Sequence, residues 1–449
     1  MRDRLPRSAG VVCLAVLGVA CFGEFAAAQP PAGPAPEGTA TAAPKIPELA
    51  EAAKVFRSGD YDSALKMLQA AAKKYPELPP PQVVMAGWFA ASSQGAMTRG
   101  ALEQAVTDSP NDPEAYQLLG EMAMRSRQVA EAGLLFEKVA ALTSGAKDPA
   151  SRIASFKQRA LGGLAAVAEA RRDWVGAQTH LEALLAAEPK NAAALQQLGR
   201  MLFMQKKEDL AVEKFREAAK LDEGLAGAEV TMAQLYQQEG DVKNAGKWML
   251  EAIKANPRDA KTRVASAQWS YEIDKLDQAE EQAKAAVQLD PDSFNGQLVR
   301  GLVALARKDF KTAQEFYEKA HLQAPGNLTA TNHLALALAG QEEESKRRLA
   351  VEYAQINARV FPDQVEALAT LGWTYYRTNR IDEAEVALRK ANSLGRPTPD
   401  TLYFLARVMA DRGRKEDAKM ILESPIMKSP GAYLMRKEAE ALLAELSGR

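Results

Sequence analysis

Three histidines and two cysteines are all that a chain of 449 residues offers for metal or nucleophilic chemistry. His180, His321 and His333 stand in different segments and out of phase, so no two share a helical face and no metal site is expected. Glycine-rich phosphate loops, G-x-S-x-G and H-E-x-x-H are absent, and the many carboxylates follow helix surfaces as solvated faces. Neither a catalytic residue nor a cofactor is expected. What remains is recognition. Trp373, Tyr376 and Arg377 fall together, Tyr403 and Arg407 follow, and Tyr271, Leu298, Leu302, Leu305 and Leu336 precede them. Trp, Tyr and Arg dominate the energetics of protein interfaces. An aromatic stripe at helical spacing is more often core than binding surface. Here, however, Leu368, Leu371 and Tyr375 already fill one face, and Trp373 and Tyr376 lie on the other. The sequence therefore points to a protein or peptide partner rather than a reaction.

The first residues read as an address. Arg2, Arg4 and Arg7 form a basic head, Ala9 to Phe22 is apolar, and Ala26-Ala27-Ala28 offers a cleavage site before Gln29. Residues 1–28 have the layout of a secretory signal peptide, too short to span a membrane. Both cysteines, Cys13 and Cys21, lie inside it, so the mature chain would lack thiols. Leu17-Gly18-Val19-Ala20-Cys21 also looks like a lipoprotein signal, with Leu four rather than three residues before the Cys; a lipid anchor at Cys21 on the outer membrane is the alternative. Residues 29–44 are rich in Pro and Ala and read as an extended linker. No other apolar run is long enough to cross a bilayer. With 57 Lys plus Arg against 58 Asp plus Glu, the net charge of −1 argues against a nucleic-acid partner. The expected location is a bacterial periplasm, or outside the cell.

The remainder is periodic. Units begin near Lys45, Pro79, Pro113, Gln158, Ala192, Ala226, Ala260, Phe294, Leu328, Val365 and Pro399. The eighth position of each is small: Ala52, Ala86, Gly120, Ala165, Gly199, Ala233, Ala267, Gly301, Ala335, Gly372 and Ala406. The twentieth is Ala64, Thr98, Ala132, Ala177, Ala211, Ala245, Ala279, Ala313, Ala350, Ala384 and Ala418. Small residues at such positions let paired helices approach closely. Prolines such as Pro76, Pro110, Pro189, Pro257, Pro291, Pro325 and Pro362 close most units, because proline cannot continue a helix. This pattern over residues 45–432, with Leu371-Gly372, Tyr375 and Ala384 in the clearest unit, resembles the tetratricopeptide repeat (TPR).

The resemblance implies an all-α fold, a right-handed superhelical α-solenoid of about eleven helix-turn-helix units. A capping helix is expected at 433–449, opened by Ala432 and closing the array. An insertion after Thr143 is read as lengthening the fourth unit's first helix, from about Pro149 to Arg171, and Glu342-Glu343-Glu344 as a solvated loop. In this family the first helices line a concave face. The corresponding positions are mixed in the early units (Glu114, Gln117, Glu121, Gln196, Arg200) and apolar or aromatic later. That assigns the Tyr271-to-Arg407 set to the groove. The fifth and ninth positions carry no Lys and no Asn respectively, unlike members that clamp a terminal carboxylate. Two functions fit: a non-catalytic exported scaffold for protein or peptide binding, or an accessory subunit of a cell-envelope machine for secretion, polysaccharide export or outer-membrane assembly.

Overall fold

The computed structural model describes residues 46–145, 152–429 and 431–448. The segments read as signal peptide and linker, the Asp148-Pro149 helix start expected from the sequence, and Pro430 lie outside these residues. Among the described residues there are 23 helices and no strand. The all-helical solenoid implied by the repeat is what forms. The chain divides into two compact units at Ala228/Glu229.

Each repeat is a helix pair with local reasons to start and turn. First helices are capped by side chains that accept a backbone N–H: Asp112, Asn191, Asp259, Ser293, Asn327 and Thr398. Second helices are opened in the same way by Asp60, Asp173, Asp241 and Asp309. Between the two helices, the fifteenth residue of ten units takes a left-handed conformation, including Gly59, Gly240 and Gly413 but also Lys206 (φ 62°), Lys308 (φ 62°) and Asn379 (φ 61°). The ninth unit is the exception.

The small columns work as steric slots. Every alanine of both columns is buried. The glycines have a specific partner: a Cβ on Gly120, Gly199 or Gly301 would stand 2.6, 2.6 and 2.7 Å from the rings of Phe136, Phe215 and Tyr317. All three rings occupy one position of the second helix. Where that position is Leu68, Leu102 or Leu181, the slot holds Ala52, Ala86 or Ala165. In these three units an aromatic ring takes the volume that a methyl group fills elsewhere; Gly372 departs from this, its slot facing Leu388. Thr98, the one departure from Ala in its column, is buried and donates its hydroxyl to the Gln94 carbonyl at 3.0 Å.

The irregular segments differ from their sequence reading in two places. The fourth unit's first helix is lengthened, running Arg152–Ala170 over 19 residues. The triple glutamate is not simply a loop. Glu342 lies in the turn, Glu343 stands at the N-cap position without a side-chain capping bond, and Glu344 begins a 17-residue helix, Glu344–Val360. The three extra residues prolong the second helix by almost a turn, because nothing in them breaks a helix. At the C-terminus the helix spans Arg436–Leu446, four residues later than Ala432. Residues 431–435 are not helical and lead across the first helices of the array.

Candidate functional site

In the unit from Glu229 onward, the first helices Ala260–Glu272, Phe294–Ala306, Leu328–Gly340, Val365–Arg377 and Pro399–Asp411 lie side by side. They bring the predicted residues onto one face. Tyr271, Leu298, Leu302, Leu305, Leu336, Trp373 and Tyr403 line it, and all are buried. Tyr376, Arg377 and Arg407 are half-buried. The expectation that these aromatics stand open to a partner does not describe this structure: Trp373 packs on Tyr376, Tyr403 and Phe404, and the chain's own residues 432–442 join the same apolar clusters.

That seat is made by named contacts. The Ala432 N–H donates to the Glu272 carbonyl at 3.3 Å. Ala432 and Leu434 pack on the cluster of Tyr271 and Leu302. The N–H groups of Leu434 and Met435 both donate to the Asp400 carboxylate, at 3.2 and 2.8 Å. Lys308 donates to the Leu434 carbonyl at 3.0 Å and pairs with Glu438 at 2.7 Å. Tyr433, Ala439 and Leu442 complete the apolar contact with the cluster that contains Trp373 and Tyr403. Asp400 sits in the first turn of its helix, after the Thr398 cap, where the macrodipole favours a negative charge. Burial nevertheless pushes its carboxyl up to about 6, against the lowering effect of the two N–H bonds.

The aromatics are stacked. Trp373 lies parallel to Phe404 at 4.5 Å and to Tyr376 at 5.0 Å, with Tyr403 tilted at 5.9 Å. The Tyr376 hydroxyl donates to Asp411 at 2.6 Å and accepts from Arg407 Nε at 3.2 Å. Arg407 also pairs with Asp411 at 2.7 Å. Burial and then Glu438 raise the Tyr403 phenol to about 12. Burial and the neighbouring Arg347 depress the Arg377 guanidinium. Beside Met435 and Glu438 a cavity of about 320 Å³ remains, lined by Leu336, Trp373, Tyr376, Arg377 and Tyr403 among others.

Family models of the tetratricopeptide repeat match residues 99–149, 163–226 and 271–327, and a second such model matches 230–259 and 365–394. This chain is a tetratricopeptide repeat protein. Proteins of this family bind protein partners. Among solved structures it is similar to a TPR protein of Parabacteroides merdae, at 14% identity over 65% of this chain and 99% of that one, with a TM-score of 0.39. A thermophilic TPR protein of Thermus thermophilus matches at 17% identity over 42% of this chain and 100% of that one, with a TM-score of 0.37. Yeast Tom70 matches at 14% over 90% of this chain and 95% of that one, with a TM-score of 0.36.

In the unit ending at Ala228, the early TPR positions are polar and mutually paired. Arg152 grips Asp112 at 2.8 Å and also Glu114, Arg159 pairs with Glu121 at 2.7 Å, and Gln117 donates to Glu121 at 2.9 Å. Arg200 reaches Glu169 at 3.6 Å. The histidines lie in three separate helices; His321 contacts the Thr331 hydroxyl at 2.8 Å, and His333 lies 5.2 Å from the Tyr317 ring. Among the described residues no group of three His, Cys, Asp or Glu is arranged to hold a metal ion, and no helix is long and apolar enough to cross a membrane. The sequence missed the roles of Asp400 and Lys308. Their only signal was a Lys at a left-handed turn position and an Asp just after a helix cap.

Proposed function

We propose that this TPR protein is an exported, non-catalytic scaffold that holds protein segments against its first helices, in a bacterial periplasm or outside the cell. One observation carries the reading: the face built by Tyr271, Leu302, Trp373 and Tyr403 already holds a segment of polypeptide. It does so through backbone-directed bonds from Asp400 and Lys308 together with apolar contact. A surface that seats 431–446 in this way has the chemistry to seat a comparable segment of another protein. The basic head, apolar run and Ala26-Ala27-Ala28 support export. The test is affinity purification of the full chain from its own cells, with mass spectrometry of what is retained and sequencing of the mature N-terminus. A start at Gln29 and specifically retained proteins are expected. An unprocessed Met1, or no specific protein above control, refutes the corresponding half of the proposal.

A further inference from the structure

We propose that residues 431–446 are a displaceable occupant of this groove, and that its intended partner is a protein segment entering a helix with an aromatic side chain followed by a carboxylate. The inference rests on the scaffold reading above and specifies what the groove accepts.

The anchoring contacts read features that many segments share. Asp400 accepts two consecutive backbone N–H groups just ahead of the helix Arg436–Leu446, and Lys308 binds a backbone carbonyl. Unpaired N–H groups are common to every helix start, so these contacts select a conformation rather than a sequence. Side-chain fit must supply the specificity, and here the occupant fits incompletely. The cavity of about 320 Å³ stays open beside Met435. Its volume exceeds the roughly 150 Å³ of an apolar cavity that admits benzene, so there is room for an indole or phenol ring against Trp373 and Tyr403, while Lys308, Arg377, Arg407 and Glu438 also line the space. Glu438 Oε2 and Arg436 Nε are buried without a hydrogen-bond partner, a cost that a better-matched segment avoids.

The charge of the cavity names the second feature. The Arg377 side chain is 24% exposed, and its carboxylate neighbour, Glu342, stands 3.6 Å away with a side chain 88% exposed. A pair that long and that open is weak. A carboxylate delivered next to the aromatic ring reaches a guanidinium already disfavoured by burial and by Arg347. The native occupant brings Glu438 to the cavity wall, but that carboxylate pairs with Lys308 at 2.7 Å rather than with Arg377, and Arg436 beside Met435 is positive. Its advantage is its tether: the run of turns over 423–429 keeps it at high effective concentration.

The test uses the full chain with a protease site inserted after Ser429, and two labelled peptides: residues 431–449, and the same peptide carrying M435W and R436E. After cleavage the native peptide should exchange into the groove, binding at least tenfold more tightly than to uncut protein. The M435W/R436E peptide should bind at least tenfold more tightly than the native one, and R377E in the protein should abolish that gain. As a second route, L434D in the uncut chain should open the groove to the native peptide by a similar factor. The inference is overturned if the cut fragment stays bound and no peptide exchanges. It is also overturned if cleavage and L434D both unfold the protein, if R377E leaves the gain intact, or if L434D protein elutes as a dimer whose segments are exchanged between copies. Because no natural partner is needed, failure here leaves the scaffold reading standing. Failure of co-purification alone leaves this inference standing.

Discussion

Residues 46–228 and residues 229–449 are built from the same TPR unit, yet they finish the face of their first helices in opposite ways. In the earlier region the ninth position is Glu121 and the fifth Gln117, tied by Arg159 into a polar lattice. In the later region the same positions are Trp373 and Tyr403, buried in an apolar cluster that takes in the chain's own C-terminal segment. The difference shows that the repeat fixes spacing and leaves the groove free to vary. The Ala and Gly slots that set helix distance are filled alike in both regions. An apolar groove must then be covered, whereas a polar one satisfies itself with neighbouring charges.

The comparison breaks most sharply at one shared position. Trp373→Ala should cost about 3–5 kcal/mol of stability, because the ring is sandwiched between Tyr376 and Phe404. Glu121→Ala, at the same repeat position, should cost no more than about 1 kcal/mol, as expected for partly exposed ion pairs. Urea unfolding of both variants decides the matter; equal losses would mean that the two faces are not organised as described.

The slots should behave alike in both regions. Gly199→Ala places a Cβ 2.6 Å from Phe215 and should cost about 1–3 kcal/mol. Adding Phe215→Leu recreates the Ala/Leu pair found at Ala52/Leu68. It should lose less than the two single changes summed, by at least about 0.5 kcal/mol. Ala384→Leu, in the later region, should overpack by the same ~1–3 kcal/mol. A variant of Ala384 that unfolds at the wild-type midpoint would contradict the register there.

Acid should separate the regions next. Burial lowers His333 to about 4, so the folded state binds fewer protons than the unfolded state. Its contribution is present above pH 6.5 and is lost as pH falls through about 4. Asp400, raised to about 6, acts in the opposite sense, favouring the seated segment as pH falls through about 6 toward 3.8. In the earlier region, the shifts at Glu48 and Asp60 run downward through their bonds to Lys74 and Ser63. Denaturation between pH 7 and pH 4 should therefore show a slope that His333→Gln reduces. An unchanged slope would remove His333 from the account.

Much of this was legible in the sequence and some was not, for a physical reason. The register follows from local rules: a small residue every repeat, a cap, a proline. The lengthened helix was read from Asp148-Pro149 as a start signal, to run from about Pro149 to Arg171; the described helix is Arg152–Ala170. The triple glutamate misled because a charge run reads as a loop, although Glu propagates a helix as readily as most residues. The sequence assigned these columns to one helical face, but the C-terminal segment that joins their apolar cluster was invisible to it. Lys308 and Leu434 are 126 residues apart, and no periodicity relates them. The exchange of Gly/Phe for Ala/Leu was also in the sequence, legible only once the two positions are known to touch.

The smallest and most discriminating comparison uses the left-handed turn position, where Lys206 and Lys308 share a φ of 62°. A non-glycine residue there costs about 1–2 kcal/mol, and glycine gives back about 0.5–1 kcal/mol in unfolded-state entropy. Lys206 is exposed, and its ammonium lies 5.5 Å from the Phe203 ring, a weak contact. Lys206→Gly should therefore stabilise, by up to ~1 kcal/mol. Lys308→Gly relieves the same backbone strain but removes the bonds to the Leu434 carbonyl and to Glu438. A hydrogen bond from a charged group is worth about 1.5–3 kcal/mol, less where the side chain is partly solvated. The net effect should be a loss of roughly 0.5–1.5 kcal/mol. The two substitutions thus differ in sign at equivalent positions. Melting both variants, alone and with L434D, isolates the cause. In the L434D background the segment is already released, so Lys308→Gly should turn stabilising like Lys206→Gly. If it stays destabilising, Lys308 serves its own helix pair rather than the C-terminal segment.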